Sequence, residues 1–95
     1  MIVVLVSFDV APEDRDAFVA ARAAQVAATL AEPGCLEYAL SLDVADPGRV
    51  RLTERWESAA HLDAHLAAIA AAGGPPATVE VRSRTMTVVE GEPRS

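Results

Sequence analysis

Apolar and β-branched residues run almost unbroken from Ile2 to Val10. Such a run predicts a first strand buried on both faces. Pro12 then opens a helix, with Glu13, Asp14 and Asp16 in or near its first turn. Proline gives up only an N–H that a first turn leaves unpaired, and acids suit the positive helix end. Phe18, Arg22, Val26 and Leu30 recur every four residues, with Ala23 and Ala27 between them, until Glu32-Pro33-Gly34 stops the helix.

From Cys35 to Asp43 the pattern changes to strict alternation: Leu36, Tyr38, Leu40 and Leu42 share one face, Glu37, Ala39, Ser41 and Asp43 the other. Asp46-Pro47-Gly48 signals a turn. Alternation resumes from Arg49 to Glu57, with Val50, Leu52, Glu54 and Trp56 opposite Arg49, Arg51, Thr53 and Arg55. An antiparallel hairpin that sets Leu42 against Val50 also sets Leu40 against Leu52, Tyr38 against Glu54 and Leu36 against Trp56. The other face then pairs Asp43 with Arg49 and Glu37 with Arg55. Each such cross-strand pair stabilises by roughly 0.2–1 kcal/mol, and a slip of one residue would invert every side chain.

Ser58 is the expected N-cap of a second helix over 59–71, whose apolar stripe is Leu62, His65, Leu66 and Ile69. Gly73-Gly74-Pro75-Pro76 ends it, and residues 79–89 read as a last strand. The order β-α-β-β-α-β predicts an α+β, ferredoxin-like domain with an antiparallel sheet over residues 1–90, and a frayed tail over 91–95. Helices cover one sheet face in that arrangement. A second copy packed on the other face is the simplest cover, so a homodimer is expected.

A chain of 95 residues has room for one domain. Its net charge is −6, and every basic residue is an arginine. Without a basic patch it is poorly suited to nucleic acid or to an anionic membrane surface, so neither is an expected partner. The apolar start carries no basic flank and is too short to span a bilayer, which makes the cytoplasm the expected location. The single cysteine, Cys35, has no internal disulfide partner; it reads as a small buried residue at the Pro-Gly-Cys corner. No phosphate-binding loop or dinucleotide fingerprint is present, so no nucleotide or flavin cofactor is expected.

Three stretches carry a resemblance: Glu32-Pro33-Gly34-Cys35-Leu36-Glu37-Tyr38, Glu54-Arg55-Trp56-Glu57-Ser58 and His61-Leu62-Asp63-Ala64-His65-Leu66. Together they resemble the antibiotic-biosynthesis monooxygenase domains, which are dimeric α/β-barrel proteins, and within them most nearly the quinol monooxygenase branch. The likeness runs from residue 1 to about residue 69. It is specific for the fold and weak for the reaction, because the superfamily includes cofactor-free oxygenases, heme-degrading enzymes and an isomerase. Two departures stand out. The alanine- and glycine-rich 70–76 stretch replaces a longer segment that in relatives carries another histidine and aromatics. Ser7 stands where the heme-degrading branch has asparagine, and no histidine follows His65, so heme degradation is not expected.

His65 is the sharpest chemical candidate. On an apolar stripe it is either a satisfied core histidine or a base able to take a phenolic proton near neutral pH. His61, a turn earlier, is expected to face solvent; the pair lacks an evident third ligand, so no metal is expected. Trp56 is a core anchor or an aromatic wall for a flat ring. Glu54, a carboxylate among apolar neighbours, needs a partner: the Tyr38 hydroxyl, Arg22 or His65. Arg22, which interrupts its helix's stripe, is the natural one.

The resemblance implies a cofactor-independent monooxygenase acting on a small hydroquinone, anthrone or similar phenol. His65, Trp56 and Glu54 would do the chemistry, and Tyr38, Ser7, Phe8 and Leu62 would line the pocket. The rival expectations are a non-catalytic dimeric binding or stress-response protein, favoured by the shortened segment, and an isomerase using His65 and Glu54. A cavity of roughly 300 Å³ or more beside His65 and Trp56 would favour a site over a packed core.

Overall fold

The computed structural model describes residues 1–74 and 79–94. Its elements are β1 (Ile2–Val10), a 3-10 turn (Pro12–Asp14), α1 (Arg15–Leu30), β2 (Cys35–Leu42), β3 (Arg49–Trp56), α2 (Ala59–Ala71) and β4 (Val81–Glu90). The four strands form one sheet in the order β2-β3-β1-β4, with every neighbouring pair antiparallel. This is the ferredoxin-like α+β arrangement.

Ile2, Val4, Val6, Phe8 and Val10 are buried and decide which face of the sheet meets the helices. Within a single chain β1 is buried on one face only. Val3, Ser7 and Asp9 are half-buried and Leu5 is exposed, because the helices cover one face only. The core adds Phe18 from α1, Tyr38 from β2, Val50, Leu52 and Trp56 from β3, and Leu62 from α2.

The expected hairpin forms with Glu37 opposite Arg55, Tyr38 opposite Glu54, Leu40 opposite Leu52 and Leu42 opposite Val50. It departs at one end: a bulge between Cys35 and Glu37 places Cys35, not Leu36, opposite Trp56. Leu36 is therefore exposed, and Cys35 is half-buried rather than buried. At the other end the Asp43 carboxylate takes Arg51, not Arg49, while Arg49 reaches Asp9 of β1 at 2.9 Å. Asp43 also accepts from the N–H groups of Ala45 and Asp46, which builds the turn and holds its carboxyl down at about 2.

Helix ends follow their sequence signals. The Ser58 hydroxyl accepts from the His61 N–H, capping α2. At its other end the Gly74 N–H reaches the Ile69 carbonyl and the Gly73 N–H reaches the Ala70 carbonyl. Both glycines have positive φ, the bonding pattern that closes a helix through left-handed residues. Pro75 and Pro76 of the expected stop, and Ser95 of the expected tail, fall outside the described residues. On α1 the four-residue stripe breaks at its end: Leu30 is exposed and Thr29 is buried instead.

Gly34 joins α1 to β2 with φ +79, and a Cβ there would overlap the His61 ring. Its carbonyl accepts from the Glu57 N–H at 2.9 Å. His61 is thus packed into this corner, not free in solvent, with Nδ1 2.7 Å from the Ser58 hydroxyl. Gly34→Ala is expected to cost about 2 kcal/mol or more, since a left-handed alanine alone costs roughly 1–2 kcal/mol. Urea unfolding checks this; an unchanged midpoint would show that the corner relaxes freely.

Candidate functional site

The helix-facing side of the sheet is not filled. Between it, α1 and α2 lies a cavity of about 360 Å³. Val6 and Phe8 of β1, Tyr38 and Leu40 of β2, Leu52 and Glu54 of β3, and His65, Leu66 and Ile69 of α2 face it. Alternation explains the strand contributions, because every second residue points to this side. The i, i+1, i+4 spacing of His65, Leu66 and Ile69 brings that side of α2 over the same space.

His65 is buried and held on four sides. Its Nδ1 lies 2.6 Å from Glu32 Oε2, and its Nε2 is 4.0 Å from Glu54 Oε1. The Trp56 ring is 4.8 Å away, centre to centre, and the Tyr38 ring meets it edge-on at 5.5 Å. A carboxylate can only accept, so the Glu32 contact puts a proton on Nδ1 and turns Nε2 toward Glu54 and the cavity. Glu32 was read in the sequence only as part of the helix stop, and its pairing with His65 spans 33 positions along the chain.

Glu54 is buried, and its donor is one the sequence reading missed: Trp56 Nε1, two residues on, at 3.0 Å. Arg22 is not its partner. The Arg22 guanidinium lies over the Phe18 ring at 3.9 Å and near the Phe8 ring at 5.1 Å. Trp56 has no exposure and does not line the cavity; it stands behind His65 and Glu54 and fixes both. Tyr38 and Phe8 do line it. Leu62 is core, and Ser7 lies on the opposite sheet face beside Arg51, Thr85 and Thr87. Ser7 is thus not brought to His65, because it sits one residue out of phase with Val6 and Phe8.

Burial lifts the Glu54 carboxyl above its ordinary range, against the pull of the Trp56 N–H and the His65 ring. Burial, aided by the charge of Glu54, pushes the Tyr38 phenol up to about 12. Tyr38 therefore stays protonated near neutrality and can donate but not act as a base. Raising a carboxyl in the folded state favours folding when it is protonated. That contribution is full below the ordinary carboxylate range and is lost as pH rises through the folded value. Glu54→Gln keeps an oxygen for the Trp56 N–H and removes the charge. Its Tm relative to the parent chain is expected to improve from pH 4 to pH 8; a constant difference would contradict the raised Glu54.

Among the described residues no group of three or more His, Cys, Asp and Glu side chains is placed to hold a metal ion. Nor is any helix long and apolar enough to cross a membrane.

The sequence profile of the antibiotic biosynthesis monooxygenase family matches residues 1–71. No curated protein matches the chain. A candidate antibiotic biosynthesis monooxygenase of Deinococcus radiodurans is 25% identical, with a TM-score of 0.82 over 100% of this chain and 96% of that one. A Mycobacterium tuberculosis protein is 28% identical, with a TM-score of 0.75 over 99% and 97%. A second protein of that organism, a heme-degrader solved with two hemes bound in its active site, is 22% identical. Its TM-score is 0.80 over 100% and 99%, a likeness of fold.

Proposed function

The chain belongs to the antibiotic biosynthesis monooxygenase family, and we propose that it oxidises a small hydroquinone or anthrone-type phenol with molecular oxygen, without a cofactor. The observation that carries this reading is the cavity of about 360 Å³, mostly apolar, onto which an oriented histidine and a buried carboxylate both face.

A bound phenol needs little from the protein beyond position and a base. His65 Nε2 takes the substrate proton while Glu32 holds the Nδ1–H. The resulting anion is electron-rich enough to reduce oxygen itself, and the two combine as a carbon-bound peroxide. Loss of water then leaves a carbonyl. For a hydroquinone the sum is hydroquinone plus O2 giving hydroxyquinone plus water; the substrate supplies all four electrons and both hydrogens of the water. Tyr38, held protonated, is placed to donate a hydrogen bond to a developing oxyanion. The apolar lining keeps water from that anion.

Turnover under labelled dioxygen tests the reaction. One labelled oxygen in the product and one in water is expected. Unlabelled quinone with release of hydrogen peroxide would mean simple oxidation and would contradict a monooxygenase.

The open sheet face supports a homodimer. It presents Val3, Leu5 and Val89 together with the ion pairs Glu37–Arg55 and Asp43–Arg51. Leu5 and Val89 are more than 40% exposed in a single chain, apolar area that a second sheet would cover.

One observation favours the rival reading of a non-catalytic binder. His65 also lines a second depression of about 320 Å³, with Thr29, Glu32, Ala68, Ile69 and Gly74. This depression lies at the end of α2, where relatives were expected to carry a longer segment.

A further inference from the structure

Two arginines line the same cavity, Arg22 from α1 and Arg84 from β4. They differ from the arginines of β3. Arg49, Arg51 and Arg55 each hold a carboxylate on the open sheet face. Among the described residues neither Arg22 nor Arg84 has a carboxylate partner. Arg84 reaches only the Met86 sulfur, at 3.5 Å. Arg22 stacks on Phe18 and Phe8, and stacking engages the face of a guanidinium while leaving its N–H donors unspent.

The two groups share a neighbourhood. Arg84 is the cross-strand partner of Phe8, and Arg22 lies 5.1 Å from the centre of the Phe8 ring. Burial weakens Arg22's hold on its proton, the nearby Tyr38 phenol opposes that, and the charge of Arg84 adds a smaller push in the same direction as burial. A chain with a net charge of −6 thus sets two guanidinium groups against a single carboxylate, Glu54, around one largely apolar space. A ligand anion would relieve that repulsion and would meet donors already in place.

We propose that Arg22 and Arg84 form a carboxylate subsite, so that the cavity selects aromatic ligands bearing an acid group. A carboxylate fits better than a phosphate dianion, because Glu54 lines the same cavity and would repel the second charge. The aromatic part of the ligand rests on the reading of the cavity given above. The acid group rests on the arginines alone.

The test is anaerobic calorimetric titration of the whole protein at low salt with 1-hydroxy-2-naphthoate and, in parallel, with its uncharged amide. Binding without oxygen makes this result independent of any turnover. The carboxylate is expected to bind about 10-fold or more tighter than the amide, as charge-assisted hydrogen bonds allow. Arg84→Gln, on an exposed strand, and Arg22→Gln should each lower the ratio of carboxylate to amide affinity. Equal affinities for the two probes, binding of neither, or a preference that survives both substitutions would overturn the subsite. A preserved preference in a protein that shows no oxygen uptake would support the subsite while removing the monooxygenase reading.

Discussion

Replacing His65 with alanine is expected to lower substrate-dependent oxygen uptake about 100-fold or more, the usual range for loss of a positioned base. The argument is geometric. Glu32 fixes the ring through Nδ1 at 2.6 Å, and the Trp56 and Tyr38 rings flank it, so Nε2 has one direction available, toward Glu54 and the cavity. Loss of the imidazole also leaves a void beside Trp56, so stability must be read in parallel. His65→Gln fills more of that space and serves as the packing control. Both variants should lose turnover, with the glutamine variant closer to the parent in urea midpoint. A His65→Ala chain that folds and retains its rate would remove His65 from the mechanism.

Trp56→Ala is expected to cost about 3–5 kcal/mol, the range for deleting a large buried aromatic. The indole is wholly buried, packs 4.8 Å from His65, and gives its N–H to the buried Glu54. A domain of this size has only roughly 5–14 kcal/mol in total. The substitution is therefore expected to remove a large share of that total and to move the urea midpoint far down, with unfolding at ambient temperature if the parent lies at the low end of the range. Trp56→Phe separates the two contributions: it keeps most of the packing and strands the Glu54 carboxyl without its donor, a loss of about 1–3 kcal/mol. If Trp56→Phe were as damaging as Trp56→Ala, the hydrogen bond would outweigh the packing, contrary to this account. If both were neutral, Trp56 would not be the support of the site.

The hairpin was legible because two independent patterns, apolar alternation and opposite charges, agreed on a single register. They failed together where they ran out. The bulge at Cys35 follows a left-handed glycine in contact with His61, a contact no local pattern encodes. The continuous apolar run of β1 concealed its parity. Phe8 faces the cavity and Ser7 the opposite sheet face, and one position along a strand is the whole difference between the two. Glu54 was recognisable as a buried carboxylate from its neighbours, but Trp56 as its donor was not, since an i, i+2 pair on one strand face depends on rotamers. Glu32 was hidden for a different reason. Its role arises only when the end of α1 packs beside α2, and in the sequence a glutamate before Pro-Gly reads as a terminator. Arg22 was noticed as an interruption of a helical stripe, yet periodicity gives a residue's direction and not its partner.

The most direct test of the central claim is oxygen uptake by the chelator-treated protein across a panel of hydroquinones and anthrones, with the enzyme-free rate subtracted. Uptake that saturates with substrate, survives metal removal and collapses in His65→Ala is the predicted result. No uptake above background for any member of the panel would contradict the monooxygenase reading and leave the cavity as a binding site.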